Sequence, residues 1–233
     1  MRTVRARHGP FAERPHYKIA EIDRICSDAL KSCDLLPDSP EPVRIDRFVE
    51  KYFDVCPRYE ELPDGVLGYT EFGRNGVEAI VVTTALDEEG GNVSERRIRT
   101  TLAHEGGHGL LHMHLFALGE KPPGLFEASD NRPEILCRDV QGESKTGCGY
   151  DGRWWEYQAN RAIGGLLLPQ KLVRQAVEPF CKPQGGLGLP ALPDSEREQA
   201  VRELAKIFDV NPIVTRIRLD ELFPAQKSGQ LTL

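Results

Sequence analysis

His104-Glu105-Gly106-Gly107-His108 is the stretch on which the reading of this chain turns. Two histidines four apart on a helix leave the same face, one turn above the other. Neutral imidazoles at that spacing can grip one Zn²⁺, and the glutamate after the first can act as the general base of a hydrolase. A five-residue pattern with three fixed positions also arises by accident, so its surroundings matter. On a helical wheel Arg97, Thr101, His104, His108 and Leu111 share one side, and Ile98, Leu102, Gly106, Leu110 and Met113 share the other. The histidines thus lie off the apolar stripe, as cleft residues do. The helix is expected to begin at Asn92, with Glu95 completing a capping box, or at Ser94. Gly106 and Gly107 each cost about 1 kcal/mol against alanine inside a helix, which points to close approach of another backbone or of a substrate.

The chain has 233 residues, 39% hydrophobic and 28% charged, enough for one large domain with a sizeable core. A formal net charge of -6 argues against a general nucleic-acid or membrane binder. No apolar run approaches the length of a membrane span. Residues 1–7 are basic with no apolar stretch behind them, so a cytoplasmic location is expected rather than secretion. The six cysteines are then expected to be reduced thiols. Cys26 and Cys33 lie about 10 Å apart along one helix, too far to bridge. Cys137 and Cys148 bracket a polar, glycine-containing stretch. They are read either as a second metal or redox pair, or as two ordinary loop thiols.

Residues 1–15 read as a flexible arm. Helices are expected over 17–36, with Ile19, Ile22, Ile25, Ala29 and Leu30 on one face, and over 44–53. The period then changes to that of strands over 55–62, 65–72 and 77–84, with Gly73-Arg74-Asn75-Gly76 as a hairpin turn. A loop over 87–92 leads into the histidine helix. Residues 117–150 form a Gly-, Pro- and charge-rich insertion, and a helix over 154–168 ends at Pro169. Residues 183–193 read as a Pro/Gly linker. A capping box from Ser195 to Glu198 opens a helix to about 208, Asn211-Pro212 opens another to 222, and 225–233 are a loose tail. The expected fold is α+β, with a small antiparallel or mixed sheet packed on the histidine helix. A main domain over 16–182 is followed by a C-terminal helical module over 194–224.

A catalytic zinc needs three protein ligands and an open position. His112 stands one turn beyond His108, but three ligands in a row on a straight helix cannot close around one ion. It is read as supporting the other histidines from behind, or as exposed. Glu156 shares a helical face with Asn160, Ile163 and Leu167. A carboxylate pointed inward along such a face is costly unless it meets a charge, which a zinc ion would supply. The plain alternative is an exposed first-turn glutamate favoured by the helix dipole.

HEGGH followed by Glu156-Tyr157-Gln158-Ala159-Asn160 and then Leu166-Leu167-Leu168-Pro169 resembles the ImmA/IrrE family of zinc metallopeptidases. Leu204-Ala205-Lys206-Ile207-Phe208-Asp209-Val210-Asn211 and Arg216-Ile217-Arg218-Leu219 resemble that family's small helix-turn-helix-like module. The resemblance spans most of residues 17–223. It implies a zincin-like fold and Glu156 as third zinc ligand. It further implies a cytoplasmic protease whose protein substrate is a helix-turn-helix transcriptional repressor. The stretch from His108 to Glu156 is long for the family, and the 117–150 insertion accounts for the excess. In the implied reaction Glu105 takes the proton of the attacking water. The strand over 77–84 is expected at the sheet edge, pairing with the extended substrate. Tyr157, His112 and Arg161 are the candidates for an oxyanion donor. A competing reading is a metal-binding regulatory protein acting through partner or DNA contacts, with little protease activity. The balanced charge of the C-terminal helices argues against direct nucleic-acid binding, and an intact Glu105 argues for catalysis.

Overall fold

The computed structural model describes residues 2–5, 13–73, 75–117, 134–138, 154–184 and 189–224. In chain order the elements are β1 (Arg2–Arg5), β2 (Glu13–His16), α1 (Ile19–Ser32), α2 (Ile45–Phe53), β3 (Arg58–Glu60), β4 (Val66–Gly73), β5 (Gly76–Thr83) and α3 (Thr84–Glu89). They continue with α4 (Gly91–Ala117), β6 (Glu134–Arg138), α5 (Trp154–Leu167), α6 (Gln170–Val177), β7 (Lys182–Gln184), β8 (Leu189–Ala191), α7 (Asp194–Ile207) and α8 (Pro212–Leu222). The class is α+β with a small mixed sheet, as the change of hydrophobic period predicts. No described helix is long and apolar enough to cross a membrane.

The main sheet runs β3-β5-β4-β6, with β3 parallel to β5 and the other pairs antiparallel. This corrects the placing of β5 at the edge: it lies between β3 and β4. The physical sign was in its sequence. Residues 79–83 are buried without alternation, which is how a strand covered on both faces reads. β6 comes from within the stretch expected to be irregular and pairs with β4, Cys137 opposite Gly68. Within the segment read as an arm, β1 and β2 pair antiparallel. β7 and β8 pair likewise within the stretch read as a linker.

Several helix placements differ from expectation: α1 ends at Ser32 rather than near 36, and α6 lies outside the expected helices. Residues 84–89 are helical, with the Thr83 side chain accepting from the Ala85 N–H at 3.4 Å. α4 begins at Gly91, so Asn92 and Ser94 lie inside it, and the Ser94 hydroxyl donates instead to the Leu86 carbonyl. α7 begins at Asp194 behind Pro193, which puts Ser195 inside the helix as well.

α4 is the centre of the molecule. It packs on β4 and β5, on α2, and on α5. Residues 100–109 are buried without exception. The two-faced wheel therefore fails: both faces of this stretch are buried, and the histidines lie where α4 packs on α5. Gly107 permits this closeness. A Cβ there would lie 2.7 Å from Ala162 Cβ and 3.2 Å from the Ala159 carbonyl oxygen, both on α5.

The C-terminal pair α7 and α8 docks on the far side of α5 through a buried charge. Arg218 is 1% exposed. Its guanidinium donates to Asp23 Oδ1 on α1 at 2.7 Å, to the Leu168 carbonyl at 3.1 Å and to Glu221 at 3.1 Å. Glu221 is also paired with Arg161 of α5.

Candidate metal centre

α4 and α5 pass in opposite directions: His104 meets Asn160 and His112 meets Trp154. That crossing brings the predicted ligands together. His104 Nε2 and His108 Nε2 are 3.0 Å apart. Glu156 Oε2 is 3.2 Å from His104 Nε2, and its Oε1 is 3.6 Å from His108 Nε2. A metal ion with tetrahedral bonds of about 2.0–2.1 Å holds its ligands about 3.3 Å apart, and the observed separations bracket that value. His104, His108 and Glu156 therefore form a group that could hold a metal ion. Both histidines are buried, and the glutamate side chain is 14% exposed.

The electrostatics suit a cation. Burial pushes the His108 imidazole below its ordinary value and His112 well below it. Both are therefore neutral and able to offer lone pairs. Burial pushes the Glu156 carboxyl up, but the His104 and His108 rings beside it outweigh that and hold it below the usual carboxylate range. Two imidazoles and an anionic carboxylate converge on one point.

The residues around the cluster orient it. His104 Nδ1 is 3.1 Å from Asn160 Oδ1. His108 Nδ1 is 2.9 Å from His112 Nδ1, and His112 Nε2 is 3.0 Å from Gln158 Oε1. His112 is wholly buried against His108, so its exposed placing is corrected. Glu105 is also wholly buried. Thr70 Oγ1 on β4 lies 2.8 Å from its Oε2 and 3.1 Å from its backbone carbonyl.

The remaining expected site residues stand elsewhere. Tyr157 is 43% exposed, with the Arg161 guanidinium 4.9 Å from its ring centre. Arg161 is engaged with Glu221 of α8. Cys148 and the side chain of Cys137 lie outside the described residues. A surface cavity of about 570 Å³ between α1 and the start of α6, lined by Asp23, Lys31, Asp34 and Lys171, includes none of the cluster residues.

Sequence reasoning missed Thr70 and Gln158 and gave Asn160 no role. Asn160 stands four residues after Glu156, so the same helical face carried its signal. A lone threonine on a strand carries none. No protein-family model matches the chain, and no curated protein matches it.

Proposed function

We propose that this chain is a zinc-dependent endopeptidase with a zincin-like fold. Its substrates are one or few cytoplasmic proteins, with a helix-turn-helix transcriptional repressor as the expected target. The observation that carries this reading is the convergence of His104, His108 and Glu156, with Glu105 on the same helix held by Thr70. The resemblance to the ImmA/IrrE metallopeptidases supports it. Two imidazoles and a carboxylate favour a borderline cation such as zinc over calcium or magnesium.

Zinc, when bound, supplies a Lewis acid that polarises a peptide carbonyl and acidifies water. The protein's residues do the rest. His104 and His108, through Nε2, and Glu156, through its carboxylate, would hold the ion. Glu105 accepts the proton of the attacking water at its carboxylate and returns it to the leaving amine. Thr70 holds that carboxylate in one rotamer. Asn160 and His112 keep the two rings from turning. The Thr70–Glu105 hydrogen bond favours this reading over a metal-binding regulatory protein, because binding metal requires neither group.

The test is Glu105→Gln, which preserves shape and cannot accept the proton. The variant is expected to keep one zinc per chain by elemental analysis and to lose cleavage of a helix-turn-helix repressor encoded beside its gene. Undiminished turnover would place the base elsewhere. Absence of zinc uptake by the unaltered protein would remove the metal site.

A further inference from the structure

We infer that Gln158 and His112 are positioning residues that fix His108 in its metal-ligating tautomer, through a hydrogen-bond relay anchored on the backbone of β2. The inference rests on the metal-site reading above and assigns a task to residues that the ligand set leaves unused.

The relay has four members. Gln158 Nε2 donates to the Pro15 carbonyl at 2.7 Å. Gln158 Oε1 is 3.0 Å from His112 Nε2, and His112 Nδ1 is 2.9 Å from His108 Nδ1. His108 Nε2 then faces His104 and Glu156. His108, His112, Gln158 and Pro15 are all buried. The Trp154 ring stands edge-on against His112, with centres 5.5 Å apart.

The direction of the relay follows from what each group can do. A backbone carbonyl only accepts, so it turns the amide nitrogen of Gln158 toward Pro15 and the amide oxygen toward His112. That oxygen also only accepts, so the ring proton of His112 sits on Nε2. A second proton, on Nδ1, would make His112 a cation at a wholly buried position, which is costly, so its Nδ1 accepts. The proton between the two rings therefore belongs to His108 Nδ1, and His108 Nε2 keeps a free lone pair. The reverse order would put a proton on His108 Nε2, among the ligand atoms, and block it. Ligand histidines commonly lean on a carboxylate or carbonyl. Here a second imidazole and an amide stand between, and they carry the constraint from α4 across α5 to the N-terminal strand.

Zinc affinity of the metal-free, full-length protein, by competition with a chromogenic chelator, tests the inference. His112→Leu removes the acceptor and is expected to weaken binding about ten- to hundredfold, the usual effect of losing such a partner. His112→Asn puts an amide oxygen where Nδ1 stood and is expected to stay close to the unaltered protein. Nitrogen-15 spectra of the histidine rings give a second readout. His112 should be protonated at Nε2 in the unaltered protein, and Gln158→Leu should populate both tautomers, which loss of packing alone would not do.

Unchanged affinity in His112→Leu would overturn the relay, as would equal weakening in a folded His112→Asn or a proton on His112 Nδ1. If His112→Leu fails to fold, His112→Asn and the ring spectra decide. If the unaltered protein takes up no zinc, the metal reading falls, and the tautomer of His112 in that metal-free protein still decides the relay.

Discussion

Thr70 Oγ1 stands 2.8 Å from Glu105 Oε2, so a hydroxyl on the sheet sets the direction of a carboxylate on the central helix. Both are buried, so the contact is shielded from competing water.

Thr70→Val keeps the shape of the side chain and removes the donor. A hydrogen bond to a charged group contributes about 1.5–3 kcal/mol, so kcat is expected to fall about ten- to hundredfold while zinc content stays at one per chain. Turnover and metal analysis on the same preparation check this. An unaltered kcat would free Thr70 of any part in the reaction.

The neighbouring glycines should behave oppositely. At Gly106 an added Cβ meets its nearest atoms at 3.6–3.9 Å, which is ordinary contact. Gly106→Ala is therefore expected to be neutral or to stabilise by up to about 1 kcal/mol, through helix propensity. At Gly107 the added carbon would strike α5 at 2.7 Å. Gly107→Ala is expected to destabilise by about 1–3 kcal/mol and to loosen metal binding by moving Glu156. Thermal melts and zinc titrations of both variants separate the cases.

Arg218→Met should be among the most damaging single changes outside the site. It leaves Asp23 without its buried cation and takes one of two from Glu221. Breaking such a buried pair costs about 3–5 kcal/mol. Urea unfolding measures it. A midpoint within error of the unaltered protein would mean the pair contributes nothing net.

Thiol labelling at pH 8 should order the cysteines by burial. Cys56 is exposed and Cys26 is not, and burial pushes the Cys26 thiol up to about 12. Almost no Cys26 thiolate exists at pH 8, and the thiolate is the reactive form. Peptide mapping is expected to find Cys56 alkylated within minutes and Cys26 only after denaturant is added. Early labelling of Cys26 would show local opening between α1 and α5.

Histidine spacing and the change of period along the chain made α4, β4 and β5 legible, because each rests on local periodicity. Glu156 was not legible from its residues alone. An inward and an exposed first-turn glutamate look the same until the partner helix is known, and only the family resemblance separated them. The wheel of α4 misled because it assumes one wet face, whereas residues 100–109 are buried on both, among α2, the sheet and α5. α3 has a single buried residue, Leu86, too little for any period to register. Gln158 stood two residues from Glu156, off its face. It reaches His112 because α5 passes α4 in the opposite direction, which no single-helix pattern encodes.

The site is stitched from distant parts of the chain: Pro15, Thr70, the α4 histidines, and Glu156 with Gln158 on α5. Synthesis delivers these in order. A growing chain exposes its paired histidines well before the carboxylate that completes the ligand set, and α8, which follows both, ties α5 to α1 through Arg218. The ability to hold a metal ion is therefore acquired late in synthesis. A chain stalled between α4 and α5 holds two of the three ligands and cannot close them around an ion.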